Sequence, residues 1–289
     1  METTTERRRR ATVKDVALEA GVSRGTVSRV LNGQPYVSDE AREAIEAALS
    51  EEDYQLSFLI ADTPRDVERL ARYLSGGLID GVIIVSARVG GPITRAVRDL
   101  GLPAAFVGHP RDIGDAPYVA IDNRGAAREI TRRLADTGRT KIGMIAAALD
   151  RDSGADRLAG FVDALGADFD PQRVESVPFY SVADGREGMR RLLERMPDID
   201  GVFASSDAVA AGALEALREA GRRVPEDVGI VGFDDSSWAL RCDPPLSTIH
   251  QPAGELGRAA AKAVLAQLRG ERIETPIMLD CPVVWRESA

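Results

Sequence analysis

Histidine and cysteine, the usual carriers of nucleophilic and metal chemistry, are scarce here: two of each in 289 residues. His109 precedes Pro110 in a loop and His250 lies in an apolar run, and neither has a serine or cysteine nucleophile motif beside it. Cys242 and Cys281 lack metal-ligand spacing and read as two unpaired thiols of a reducing compartment. Carboxylates are plentiful, so counting alone does not exclude an acid–base pair, but no catalytic constellation emerges and the chain is expected not to be an enzyme. What remains is binding chemistry. Arg157 follows the apolar run "KIGMIAA", Ser206 ends "GVFASS" and Asp234 ends "VGIVGF". A guanidinium can fork onto sugar hydroxyls or a carboxylate, and an aspartate can accept two hydroxyl hydrogen bonds. Phe179, Tyr180 and Trp238 could offer a stacking face to a pyranose ring. Each reading has a plain alternative: an Arg–Asp ion pair, a turn-capping aspartate, ordinary surface packing.

The elements that must position these residues alternate. Strand-like runs "QLSFLIA", "GVIIVS", "PAAFVG", "YVAID", "KIGMIAA", "SVPFY", "GVFASS", "VGIVGF" and "LSTIHQ" are separated by helix candidates at 64–75, 123–137, 155–166, 184–195 and 207–221. That order predicts an α/β protein with parallel sheets covered by helices on both faces, and two successive strand sets predict two similar lobes. Open sheets of this kind bind ligands at the C-terminal ends of their strands, where Arg157, Ser206 and Asp234 fall. No glycine-rich phosphate motif of the P-loop or dinucleotide type is present, so no nucleotide cofactor is expected. There is no apolar run long enough to cross a membrane, and the arginines near the N-terminus lead into no apolar signal core. The expectation is a cytoplasmic protein.

The charge is uneven. Residues 1–37 hold seven basic side chains against four acidic ones, while the whole chain carries −9. A basic head on an acidic body suits a protein whose head alone meets phosphate. Within the head, "TVKDVALEAGVSRGTVSRVLNG" reads as two short helices around a tight turn. Val13, Val16, Ala17 and Ala20 share one face, Gly21 suits a left-handed helix end, and Val22 can fill the space between the helices. Ser23 is a natural N-cap, and Val27, Val30 and Leu31 turn inward. This is a helix-turn-helix with its second helix offered to the major groove.

The stretch "TVKDVALEAGVSRGTVSRVLNG...YVSDEAREAI" closely resembles the head of the lactose-repressor (LacI/GalR) family of bacterial transcription regulators. The resemblance implies that Arg24 and Gly25 choose the operator sequence, with Thr26, Ser28, Arg29 and Asn32 as supporting DNA contacts. Arg24 could make a bidentate contact to guanine; Gly25 has no side chain and only permits close approach. The likeness continues through "PYVAIDNRGAAREITRRLADTGRTKIGMI", "RLAGFVDALG", "GVFASSDAVAAGALEALREAGRRVPEDVGIVGFDD" and "PPLSTIHQPAGELGRAA". These are similar to the family's effector-binding core, which is itself like periplasmic (type I) sugar-binding proteins: two doubly wound lobes joined by three crossings, with a small ligand between them. By resemblance Arg157 and Asp234 contact the effector, most simply a carbohydrate. Ser206 stands where relatives commonly have an asparagine, and Trp238 joins the site as a stacking candidate. The implied domains are a DNA-binding head at 1–50, a first lobe of 51–122 with about 250–271, and a second lobe of 123–249 with about 272–289. The crossings are expected at Asp122–Asn123, Thr248–Gln251 and after Glu271.

The chain departs from the family pattern at "SDEAREAIEAALSEEDYQLSFLIAD", residues 38–62. The family's hinge, which folds on the operator, is absent, and so are the first core strand and most of the first core helix. Ala41, Ala44, Ile45, Ala48 and Leu49 nevertheless form one unbroken apolar stripe behind the Ser38 cap. A single helix over 38–53, about 24 Å long, is therefore predicted to join head and body. In the doubly wound order the first strand is central, so its loss leaves a gap that "QLSFLIA" and "GVIIV" are predicted to close by pairing directly, a shift of about 4.8 Å. Family dimer contacts lie largely in this lobe, which puts a homodimer in question. The sequence thus implies an operator-binding regulator, most simply a repressor, controlled by a small effector. The alternative is an internally deleted remnant that binds only the small molecule.

Overall fold

A computed structural model describes residues 64–77, 79–85, 87, 91–110 and 113–289, with single positions 40, 43, 47, 54, 56, 57 and 59 before them. The expected DNA contacts Arg24, Gly25, Thr26, Ser28, Arg29 and Asn32 lie outside the described residues. So does most of the helix expected over 38–53, of which Glu40, Glu43 and Ala47 are described and are helical.

The elements run α1 (Pro64–Leu74), β1 (Val82–Val85), α2 (Pro92–Leu100), β2 (Ala104–Val107), β3 (Tyr118–Ile121), α3 (Asn123–Asp136), β4 (Ile142–Ala147) and α4 (Asp152–Leu165). There follow β5 (Val174–Val177), α5 (Val182–Arg195), β6 (Gly201–Ala204), α6 (Asp207–Glu219), β7 (Gly229–Val231), α7 (Ser237–Arg241), β8 (Thr248–Ile249), α8 (Ala253–Leu268), β9 (Ile277–Leu279) and β10 (Val283–Val284). Local chemistry explains many boundaries. Pro92 occupies the first turn of α2, where its missing N–H costs nothing, and Gly101 at φ 63° ends that helix by returning its N–H to Val97 and Arg98 carbonyls. Asp122 caps α3 by accepting the Gly125 N–H, and Ser181 caps α5 by accepting that of Asp184. All six residues of β4 are buried, as a central parallel strand covered on both faces requires.

Two four-stranded parallel sheets result, ordered β1-β2-β3-β9 and β5-β4-β6-β7. A short antiparallel pair, β10-β8, forms a separate two-stranded sheet. This is the doubly wound two-lobed core, and its first lobe lacks a strand ahead of β1 among the described residues. The predicted pairing of "QLSFLIA" with β1 falls largely outside the described residues, of which Leu56, Ser57 and Leu59 belong to no strand; among the described residues β1 stands at the end of its sheet, with Val85 47% exposed. The fourth strand comes instead from the far end of the chain: β9 pairs in register with β3, Val119 opposite Ile277 and Ile121 opposite Leu279. The segment expected to run with the second lobe from about 272 therefore splits. Residues 277–279 complete the first sheet, and the third crossing falls at Asp280–Pro282 rather than just after Glu271. Beyond it the tail enters the second lobe, where the Ile230 N–H donates to Ser288 O and the buried Ser288 hydroxyl donates to Ile230 O. Strand pairing sets this outcome: β2 occupies one edge of β3, and an apolar "IML" with no turn residues fits the other.

The core runs beneath both sheets. Phe106 and Val97 anchor the outer face of the first lobe, Phe161, Phe203 and Phe233 the region near the crossings, and Met189, Leu192 and Leu217 the far face of the second.

Candidate functional site

Arg157 lies in the second turn of α4, not at its opening, because the helix already begins at Asp152. Its side chain is almost wholly buried, so every donor needs a partner. Nε donates to Asn123 Oδ1 at 2.9 Å, Nη1 to Ser205 O at 2.7 Å and Nη2 to Gln251 Oε1 at 3.3 Å. The same Nη2 stands 3.2 Å from Asp234 Oδ1. Beneath the guanidinium plane lies the Phe233 ring, 3.6 Å from its centroid to the central carbon, and the Tyr180 centroid is 5.8 Å away. The expected ion pair thus exists, and it sits inside a larger cluster. Most of the arginine's hydrogen-bonding capacity is spent on the protein. Asn123 and Gln251 each use their amide oxygen on the guanidinium.

Asp234 is 31% exposed at its side chain, which leaves a carboxylate edge open. Burial nevertheless pushes its carboxyl above the ordinary carboxylate value, against the opposing pull of Arg157. Its backbone adopts φ 108° and that of Asp235 φ 53°, two consecutive non-glycine residues at positive φ. Such a corner costs about 1–3 kcal/mol per strained residue and persists only when its surroundings over-determine it. They do. Asp234 N–H donates to Ile249 O, and Gln251 N–H donates back to Asp234 O. Asp235 receives Arg286 Nη2 on one oxygen at 2.7 Å, and His250 Nδ1 lies 3.0 Å from the other. Ser236 N–H donates at 2.7 Å to Asp207, whose second oxygen accepts the Thr248 hydroxyl. The corner that carries Asp234 is therefore tied to a crossing segment (248–251), to the C-terminal tail and to the start of α6.

Asp207 itself is fully buried, and burial pushes its carboxyl from 3.8 to about 7, with the nearby Asp234 charge adding to the rise. The hydrogen bonds from Thr248 and Ser236 pull the other way.

Ser206 takes a different place from a pocket-lining residue. It is buried, and its hydroxyl oxygen accepts the Val209 N–H as the N-cap of α6. The residue that meets Arg157 is its neighbour Ser205, through the backbone carbonyl, while the Ser205 hydroxyl accepts the Ala147 N–H. Trp238 lies on the short helix α7 and is 40% exposed. The structure thus brings Arg157 and Asp234 together, places the stacking candidate Tyr180 beside them, and adds Asn123, Gln251 and Phe233, which sequence reasoning had not joined to the pair. A separate open groove of about 420 Å³, lined by Asp122, Glu129, Arg133, Ile249 and Cys281, shares no residue with this cluster. Among the described residues no group of His, Cys, Asp and Glu is placed to hold a metal ion, and no helix is long and apolar enough to cross a membrane.

Comparison with known proteins agrees with this architecture. Residues 12–57 match the family model described as bacterial regulatory proteins, lacI family, and residues 131–289 match the periplasmic binding protein-like domain. The HTH-type transcriptional regulator CelR of Thermobifida fusca is 34% identical over 98% of this chain and 99% of its own length. The ribose operon repressor of Halalkalibacterium halodurans is 31% identical over 91% and 92%. The aligned span with the T. fusca protein is 339 positions, longer than this chain's 289 residues. Since nearly all of both chains is covered, the relative's surplus lies inside the sequence and not at its ends. Among solved structures, the transcriptional regulator CelR–cellobiose complex superposes with a TM-score of 0.82 at 34% identity, covering 97% of this chain and 100% of that one. A LacI family transcriptional regulator from Enterococcus faecium with bound ribose gives 0.75 at 26%, covering 86% and 92%. A helix-turn-helix match at the head, a two-lobed core behind it and a full-length relative above 30% identity converge on one conclusion: the chain belongs to the LacI family of DNA-binding transcriptional regulators.

Proposed function

We propose that this regulator is a repressor whose operator affinity is set by a carbohydrate bound between its two core lobes. The observation that carries the reading is the buried Arg157 guanidinium, held by Asn123, Ser205 and Gln251 and paired with a partly open Asp234. A rigid cation under an open carboxylate edge and two amides presents alternating acceptors and donors, which suits the vicinal hydroxyls of a sugar. Structural neighbours carry cellobiose and ribose, which supports the same ligand class. Trp238 adds an apolar face, and Ser206 contributes through the shape of the α6 terminus. At the head, Arg24, Gly25, Thr26, Ser28, Arg29 and Asn32 are the residues assigned to DNA, within a domain of roughly the first 50 residues.

Gel-shift and footprinting on the DNA beside its own gene, with and without a sugar panel, test the proposal. Protection of a palindromic site that a sugar relieves or strengthens supports it. Protection of a half-site alone, or none at moderate salt, refutes the repressor reading. A second reading has its own observation in favour. The relatives' extra internal residues suit an internally deleted chain that binds sugar without docking in pairs on DNA. Sugar binding with no DNA protection would select it.

A further inference from the structure

Gly254 is the second residue of α8, and the space beside it is taken by a residue from near the other end of the chain. A Cβ built on Gly254 would stand 2.9 Å from Glu40 Oε1, 3.0 Å from its Cγ and 3.3 Å from its Cδ. Gly254 is helical and not at positive φ, so its backbone conformation does not call for glycine; the close approach of Glu40 uses the room that a methyl group would fill. Glu40 lies within the stretch that carries the DNA-binding family match, on the helix expected over 38–53, where Glu40, Glu43 and Ala47 are helical.

The contact falls at a helix start that its own sequence leaves uncapped. Pro252 holds the N-cap position of α8 and makes no side-chain cap hydrogen bond. The positive end of the helix dipole therefore faces the Glu40 carboxyl, the arrangement that stabilises an acidic side chain. The same helix start borders the effector cluster. The Ala253 N–H donates to Gln251 O, the Gln251 N–H donates to Asp234 O, and the Gln251 side chain accepts from Arg157 Nη2. Four consecutive residues, 251–254, thus touch Arg157 and Asp234 at one end and Glu40 at the other.

We infer that Glu40 couples the DNA-binding head to the effector cluster, by docking its carboxyl on the uncapped start of α8. No hinge segment separates head from body in this sequence, so a rearrangement of 248–251 on effector binding reaches the head through this contact. Glu40 stays exposed, which keeps the contact weak enough to be made and broken. The inference rests on the effector reading of the Arg157–Asp234 cluster.

Hydrogen exchange on the full chain, read by mass spectrometry without sugar or DNA, tests it. Glu40→Lys puts a positive charge at a positive helix end and is expected to speed amide exchange across 252–257 at least about threefold, with Glu40→Ala smaller in the same direction. Exchange across α5 is expected to stay unchanged in both. Coupling is reciprocal, so loosening the cluster must be felt at the head. Gln251→Ala, or the milder Gln251→Asn, is expected to speed exchange across 38–50 at least about twofold, and to have no such effect in the Glu40→Ala background. Exchange across 252–257 that ignores residue 40 would show that the carboxyl is not docked. A docked carboxyl with no response of 38–50 to either Gln251 variant, or the same response with and without Glu40, would show that it carries no coupling. Any of these results overturns the inference. Since no sugar is present, failure of the carbohydrate reading would leave these rates as they are and would show instead in the sugar panel.

Discussion

The Thr248 hydroxyl donates to Asp207 Oδ1 across 2.6 Å, and both residues are buried. The bond joins the first turn of α6 to a segment that crosses between the lobes, and through Ser236 the same carboxylate holds the loop that carries Asp234. Asp207 is thus a positioning residue for the site, and its carboxyl titrates near neutrality.

A pH dependence follows. Asp207 takes up a proton more readily in the folded chain, at about 7, than at its ordinary 3.8. Its contribution to stability is complete below 3.8 and is lost as pH rises through about 7. The Tm of the wild type is expected to fall between about pH 4 and pH 7, and Asp207→Asn, which removes the charge and can still accept the Ser236 N–H if the Thr248 bond reverses so that the amide donates to the hydroxyl, is expected to flatten that slope. Thermal melts at closely spaced pH values read it; parallel slopes in the two proteins would show that Asp207 does not titrate there.

The Arg157–Asp234 pair separates stability from binding. Arg157→Ala strips a buried cation from four partners and leaves Asp234 uncompensated, so a loss of about 3–5 kcal/mol in urea denaturation is expected. Asp234→Asn keeps the volume and removes only the charge at a partly open position. It leaves the buried Arg157 without its counter-charge and is expected to cost stability too, though less than Arg157→Ala, and at least about tenfold in sugar affinity by calorimetry, since charge-assisted hydrogen bonds to hydroxyls are lost. An unchanged Kd in Asp234→Asn would remove this residue from the binding site.

Helices α5 and α6 touch through glycines. A Cβ on Gly212 would overlap the Val182 carbonyl oxygen, and one on Gly185 would overlap that of Val209. Alanine helps an exposed helix, but at these positions the backbones must part, so Gly212→Ala and Gly185→Ala are each expected to destabilise by about 1–3 kcal/mol. Chemical denaturation decides the sign, because a gain would mean that the helices have room to separate.

Neither thiol is poised to react. Burial pushes Cys242 to about 11, with the Asp207 charge adding to it, and burial likewise raises Cys281. Alkylation by iodoacetamide at about pH 8 is expected to be markedly slower in the native chain than in the denatured one, measured by mass spectrometry for each cysteine.

Much of this protein is written locally. The alternation of apolar runs and amphipathic stretches set the α/β class, and five helices begin and end within three residues of the ranges read from their patterns. The head motif and the core segments around "IDNRG" and "VGFDD" carried the family on their own. Arg157 and Asp234 could be singled out because they stand in segments that resemble the family's effector-binding core. Other decisions belong to tertiary structure, because they join residues far apart in the chain. Nothing local in "IML" says that β9 crosses back to pair with β3, since any short apolar segment can serve any open strand edge. Asn123, Ser205 and Gln251 converge on Arg157 from separations of 34, 48 and 94 residues, and each is an ordinary polar residue until the fold buries a guanidinium among them. That the Ser206 hydroxyl accepts the Val209 N–H as the cap of α6 is likewise decided only once the helix has formed. Backbone propensity and apolar periodicity act over a few residues and are legible in sequence; strand partners and the satisfaction of buried polar groups are settled only by the packed whole.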